Sequence, residues 1–80
     1  MITLYINPTC PFCRNAVRAA EATGVPLSLK DVHDEGVSEE LIALGGKKQM
    51  PYMVDSEHEV SMYESDDIID YLHRTYGSNS

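Results

Sequence analysis

Asn7-Pro8-Thr9-Cys10-Pro11-Phe12-Cys13 follows the alternating run Ile2-Thr3-Leu4-Tyr5-Ile6 and precedes an alanine-rich stretch, and this junction decides the reading of the chain. Residues 2–6 read as a short strand, and Asn7-Pro8-Thr9 is turn chemistry that ends it. Pro11 suits the first helical position, where its missing N–H costs nothing. The helix runs to about Thr23, with Gly24 and Pro26 stopping it and Val17 and Ala20 on its inward stripe. Cys10 then falls at the N-cap, with its sulfur against unpaired N–H groups at the positive end of the helix dipole. A thiolate is favoured there, so the Cys10 pKa is expected to fall below its usual value of about 8.5. Cys13 lies one turn along on the same face, placed to close a disulfide with Cys10.

Outward from this junction, Leu27, Leu29 and Val32 mark a second strand, giving a β-α-β unit with a parallel pair. His33-Asp34-Glu35-Gly36 is a loop, and Ser38 is expected to cap a helix carrying Glu39 and Glu40 in its first turn and ending at Gly45-Gly46. Tyr52–Val54 and Glu59–Met62 flank the polar turn Asp55-Ser56-Glu57-His58 and read as an antiparallel hairpin. Ser65 opens and caps a last helix with Ile68, Ile69, Leu72 and Tyr76 at helical spacing. The order β-α-β-α-β-β-α predicts an α/β fold, a four-stranded mixed sheet with helices on both faces. It occupies residues 1–76 as one domain, with a flexible tail at 77–80.

The 80 residues and 42% hydrophobic content suit a single core. A net charge of −7 disfavours nucleic acid and anionic membranes as partners. The chain carries neither a leader pattern nor a long apolar span, so a soluble, cytoplasmic, monomeric protein is expected. Two cysteines cannot build the framework of a small secreted domain. A zinc site needs two further ligands, and His33, His58 and His73 are scattered, so no metal is expected. The pair reads as thiol–disulfide chemistry, Cys10 attacking and Cys13 resolving.

Residues 7–13 closely resemble the Pro-Thr-Cys-Pro-Tyr-Cys active-site segment of dithiol glutaredoxins, with Phe12 for the tyrosine. Gly45-Gly46-Lys47-Lys48-Gln49-Met50-Pro51 looks like the glutaredoxin segment that ends in a cis-proline facing the active-site cysteines. The third segment, Tyr63-Glu64-Ser65-Asp66-Asp67-Ile68, resembles both the Glu-Ser-x-x-Ile segment of glutathione-transferase N-terminal domains and an Asp-bearing segment of glutaredoxins.

The resemblance implies a thioredoxin-like (glutaredoxin) fold and a glutathione-dependent thiol:disulfide oxidoreductase acting on protein disulfides and glutathione mixed disulfides. Cys10 and Cys13 are its catalytic residues. Phe12 packs beside the bound thiol, Pro51 takes the cis-proline role, and the Met50 backbone pairs with glutathione. Glu64, Ser65 and Asp66 hold its γ-glutamyl end, a carboxylate on helix N–H groups and an ammonium on a neighbouring acid. Lys48, with Lys47 second, is matched to the glycine carboxylate, and Arg14 to the thiolate. No tightly bound cofactor is implied, only glutathione as reductant.

Two departures stand out. Many glutaredoxins carry a lysine where this chain has Asn7, and their Gly-Gly turn before the last helix is replaced by Met62-Tyr63-Glu64, closer to the transferase domains. Alternative readings are a thioredoxin-like carrier reduced by a flavoprotein, and a glutathione-binding module of the transferase type.

Overall fold

The computed structural model describes residues 1–77. Seven elements follow in order: β1 (Ile2–Ile6), α1 (Pro11–Thr23), β2 (Leu27–Asp31), α2 (Val37–Gly45), β3 (Tyr52–Asp55), β4 (Val60–Tyr63) and α3 (Ser65–Tyr76). The strands form one sheet in the order β2-β1-β3-β4. β1 and β2 run parallel, with Leu4 opposite Leu29. β3 pairs antiparallel with β1, Met53 opposite Leu4, and with β4, Met53 opposite Met62. This is the thioredoxin-like arrangement, a mixed four-stranded sheet between helices, as expected from the order of elements.

The period-two alternation of β1 assigns its two faces. Ile2, Leu4 and Ile6 point to a core completed by Met53, by Cys13, Ala16, Ala19 and Ala20 of α1, and by Ile68 and Leu72 of α3. The alanines let α1 lie close to the sheet. Val17, expected on the inward stripe, is only half-buried against this core, while Ala20 is fully buried. On the other face Tyr5, Tyr52 and Val32 pack with Leu41 of α2.

Four local expectations are corrected. Ser38 is not the cap of α2: the helix begins at Val37 after Gly36, whose φ of 84° is left-handed and suits glycine. The Ser38 hydroxyl instead donates to the Val32 carbonyl, 3.1 Å away, tying α2 to the end of β2. Ser65 is likewise the first residue of α3 rather than its cap; Glu64 holds that position and makes no side-chain capping bond.

Asp55, read as a turn residue, is the last residue of β3 and wholly buried. The hairpin is shifted by one residue because Asp55 accepts hydrogen bonds from the hydroxyls of Tyr71 at 2.5 Å and Tyr76 at 2.6 Å, and is 2.9 Å from His58 Nδ1. Glu59, read as strand, closes the turn with a positive φ of 55°. Gly77 is tied to α3, its N–H donating to the His73 carbonyl. The rest of the expected tail, 78–80, lies outside the described residues.

No described helix is long and apolar enough to cross a membrane.

Candidate functional site

The turn after β1 is organised by Asn7. Its side-chain oxygen accepts from the Thr9 N–H at 3.1 Å and the Thr9 hydroxyl at 2.8 Å, an Asx-type turn. Its carbonyl accepts from the Cys10 N–H at 2.9 Å, and its own N–H points at Cys13 Sγ, 3.4 Å away. Asn7 therefore shapes the cysteine loop through its backbone and a neutral side chain, where the resembling family carries a charge.

Cys10 is the N-cap of α1 with extended backbone, and Pro11 opens the helix. Both cysteines are free thiols, Cys10 half-buried and Cys13 fully buried. The Cys10 side chain makes no capping hydrogen bond, yet its pKa is lowered, first by the nearby Cys13 N–H; burial opposes this, and the Cys13 thiol, the Phe12 N–H and the Arg14 charge add to the lowering. Cys13 moves the other way, pushed up to about 11 by burial and by its bond to Cys10, against the lowering effect of the Asn7 N–H. The two sulfurs are thus differentiated into an accessible, thiolate-prone Cys10 and a buried, protonated Cys13.

A cleft of about 180 Å³ is lined by Phe12, which stands between the two cysteines in sequence, by Gln49, Met50 and Pro51, and by Glu64, Ser65 and Asp66; neither cysteine is among its lining residues. The Met50–Pro51 peptide bond is cis. Met50 packs against both core clusters, which anchors this loop to the sheet. Phe12 is 62% exposed, an aromatic rim at the mouth.

Glu64 has a φ of 73°, unusual for a side chain larger than glycine, and its carbonyl accepts from the Ile68 N–H to start α3. The first turn of α3 thereby presents its N–H end to the cleft, with the acids Asp66 and Asp67 beside it.

Six residues singled out from the sequence, Phe12, Met50, Pro51, Glu64, Ser65 and Asp66, share this cleft. Lys48 is exposed on the approaching loop and is not among the lining residues. Lys47 lies over the Tyr63 ring, its Nζ 4.8 Å from the centroid, and its carbonyl accepts from the Tyr63 hydroxyl at 2.8 Å. The same hydroxyl explains Gly45: a Cβ there would lie 2.0 Å from it, so only glycine permits the approach.

Gln49 escaped the sequence reading, although its place just before Met50-Pro51 was a usable signal. Among the described residues no group of three or more His, Cys, Asp or Glu side chains is placed to hold a metal ion.

Residues 4–80 match the family model described as glutathione S-transferase, N-terminal domain. The chain belongs to this family. No curated protein matches it. Among solved structures, a delta-class glutathione transferase from Nilaparvata lugens is 34% identical with a TM-score of 0.80, covering 99% of this chain and 38% of its own. Glutathione S-transferase unclassified 2 from Bombyx mori is 27% identical with a TM-score of 0.82, covering 98% of this chain and 37% of its own. Human glutathione S-transferase T1-1 is 26% identical with a TM-score of 0.78, covering 95% and 32%. The chain thus spans about a third of the length of the transferases it resembles. These relatives correct the emphasis of the sequence reading, in which glutaredoxin came first and the transferase domain second.

Proposed function

We propose that this transferase-type domain binds glutathione and uses Cys10 and Cys13 for thiol–disulfide exchange. The observation that supports the reading is Cys10 as the N-cap of α1, its thiol pKa lowered chiefly by the Cys13 N–H, two residues before Phe12, which lines the cleft.

The Cys10 thiolate attacks one sulfur of a substrate disulfide, forming a Cys10–substrate bond while the other sulfur leaves as thiolate and takes a proton. Cys13 then loses its proton to the departing thiolate and attacks Cys10, releasing the second substrate thiol. The substrate gains two electrons and the cysteines become a disulfide. Two glutathione molecules restore the dithiol and leave as glutathione disulfide. With a glutathione mixed disulfide, a second glutathione attacks the Cys10–glutathione intermediate directly, and Cys13 is not needed. Buried Cys13, held protonated near neutral pH, suits a residue that reacts second.

Glutathione would pair its backbone with Met50, place its γ-glutamyl carboxylate on the N–H end of α3 at Ser65 and Asp66, and its ammonium against Glu64. Lys48, exposed on the loop before Gln49 though not among the cleft-lining residues, would pair with the glycine carboxylate.

The test is NADPH-coupled reduction of a small mixed disulfide by glutathione and glutathione reductase. Cys10→Ser should abolish turnover, while Cys13→Ser should keep it but lose dithiol reduction of a protein disulfide. Loss in neither variant would refute the exchange reading.

A second reading is favoured by the family match alone: a glutathione-holding domain of a transferase that adds the thiol to electrophiles. Conjugation of glutathione to an electrophilic chloronitrobenzene, unaffected by Cys13→Ser, would select it.

A further inference from the structure

Six lysines and arginines face thirteen acids in this chain, and they are unevenly spread. No acidic residue precedes Glu21, so the segment that holds both cysteines carries Arg14 and Arg18 unopposed. Both arginines are exposed on α1, four residues apart and therefore one turn apart on the same face. Among the described residues neither enters an ion pair, whereas Lys30 is paired with Glu40 at 2.7 Å and Arg74 with Asp70 at 3.0 Å. Lys47 is held over the Tyr63 ring. The unengaged positive charge next to the cysteines in sequence is thus on α1.

This stripe has a direction. It leaves from Cys10, the N-cap, where the Arg14 charge is felt, and continues to Arg18 further along the helix. At a rise of about 1.5 Å per residue, Arg14 and Arg18 lie about 6 and 12 Å along the axis from Cys10. An extended chain advances about 3.3 Å per residue, so a polypeptide joined to Cys10 through its own cysteine brings positions about two and four residues away over the two guanidinium groups. Those groups match carboxylates in geometry as well as charge. The cleft lining, by contrast, carries the acids Glu64 and Asp66 and no cation, so an acidic polypeptide segment is drawn along α1 rather than into the cleft.

We propose that the exchange reaction is directed at acidic polypeptides, whose aspartates or glutamates within about four residues of the reacting cysteine dock on Arg14 and Arg18. This deepens the proposed function and rests on it. The Cys10 thiolate joins one sulfur of the substrate disulfide, the other sulfur leaves as a thiolate and takes a proton, and the acidic segment still attached to Cys10 lies on α1 until Cys13 displaces it.

The experiment measures kcat and KM, with glutathione, glutathione reductase and NADPH, for disulfide-linked dimers of a single-cysteine peptide. One peptide carries glutamates two and four residues to either side of the cysteine, and the other carries glutamines there. The native protein is compared with Arg18→Glu and Arg18→Lys, and a small uncharged mixed disulfide is the reference substrate. Exposed charge pairs of this kind predict a KM about three- to tenfold lower for the glutamate peptide in the native protein. Arg18→Glu should reverse that preference, Arg18→Lys should keep its direction, and neither should alter turnover of the small disulfide. At 1 M salt, where the screening length is about 3 Å, the preference should shrink.

Equal KM values for the two peptides in the native protein, a preference that survives Arg18→Glu, or an Arg18→Glu loss just as large on the small disulfide would overturn the inference while leaving thiol exchange intact. Native protein that fails to turn over the small disulfide although Cys10 reacts readily would overturn the underlying reading, and this inference with it.

Discussion

Asp55→Asn removes the charge from a fully buried carboxylate that receives Tyr71, Tyr76 and the Glu57 N–H and contacts His58. The amide preserves shape, but keeps one acceptor oxygen and turns an NH₂ toward hydroxyl groups that had an acceptor. Hydrogen bonds to a charged group contribute about 1.5–3 kcal/mol each, and breaking a buried charged network costs about 3–5 kcal/mol. With the half-exposed His58 counted little, a loss of about 2–4 kcal/mol is expected.

For a chain of this size each kcal/mol shifts Tm by about 4–8 °C, so the variant should melt roughly 10–25 °C lower. The pH dependence has a definite sign. Burial alone would raise the Asp55 pKa, but the bonds from Tyr71, Tyr76, His58 and the Glu57 N–H outweigh it and hold the carboxyl below the usual carboxylate range. A depressed folded-state pKa stabilises fully above the unfolded value of about 3.9, and that stabilisation is lost as pH falls through the folded value.

Urea unfolding followed by circular dichroism at pH 7 and again at pH 2.5 should therefore show the gap between native protein and Asp55→Asn narrowing in acid. A variant within about 0.5 kcal/mol of the native protein at pH 7, or a gap independent of pH, would refute the account.

Other consequences are as direct. Cys10 should alkylate at lower pH than an unperturbed thiol, whereas Cys13 in Cys10→Ser, still buried, should react only at higher pH than one; coincident profiles would contradict their opposite environments. Gly45→Ala should cost about 1–3 kcal/mol in urea titrations by driving a methyl into the Tyr63 hydroxyl, and far less when introduced into a Tyr63→Ala background. Asn7→Ala, which deprives the Thr9 N–H and hydroxyl of their acceptor, should slow Cys10 alkylation at neutral pH and destabilise by about 1 kcal/mol in the same titrations.

How far the sequence was legible follows from the range of the interactions involved. The strand-turn-helix around Cys10 is local: alternation, a turn cluster, a proline at the first helical position and a glycine stop all act within a few residues. The order of elements and both faces of β1 could be read in the same way. What escaped was set by contacts between separate elements of the fold. Asp55 looks like a turn residue until Tyr71 and Tyr76 reach back to it from α3. Ser38 looks like a cap, yet the Val32 carbonyl claims its hydroxyl and Gly36 makes the entry to α2. Gln49 carries no pattern of its own, and acquires one only when the fold brings Glu64 within 3.0 Å.

The contacts of Asp55 and Gln49 converge on α3. Its amphipathic face, with Ile68 and Leu72 in the core, accounts for its packing but leaves the position of each end unspecified. The Asp55 bonds pin the C-terminal half to the tip of the hairpin, and the Gln49 bond holds the residue that starts its first turn against the cis-proline loop. A helix N-terminus binds an anion well only if its N–H groups keep a fixed distance from the opposing bank. Asp55 carries no chemistry of its own, yet Asp55→Asn should raise the KM for glutathione as well as lower stability, because the first turn of α3 and the cleft it lines depend on where that helix is held.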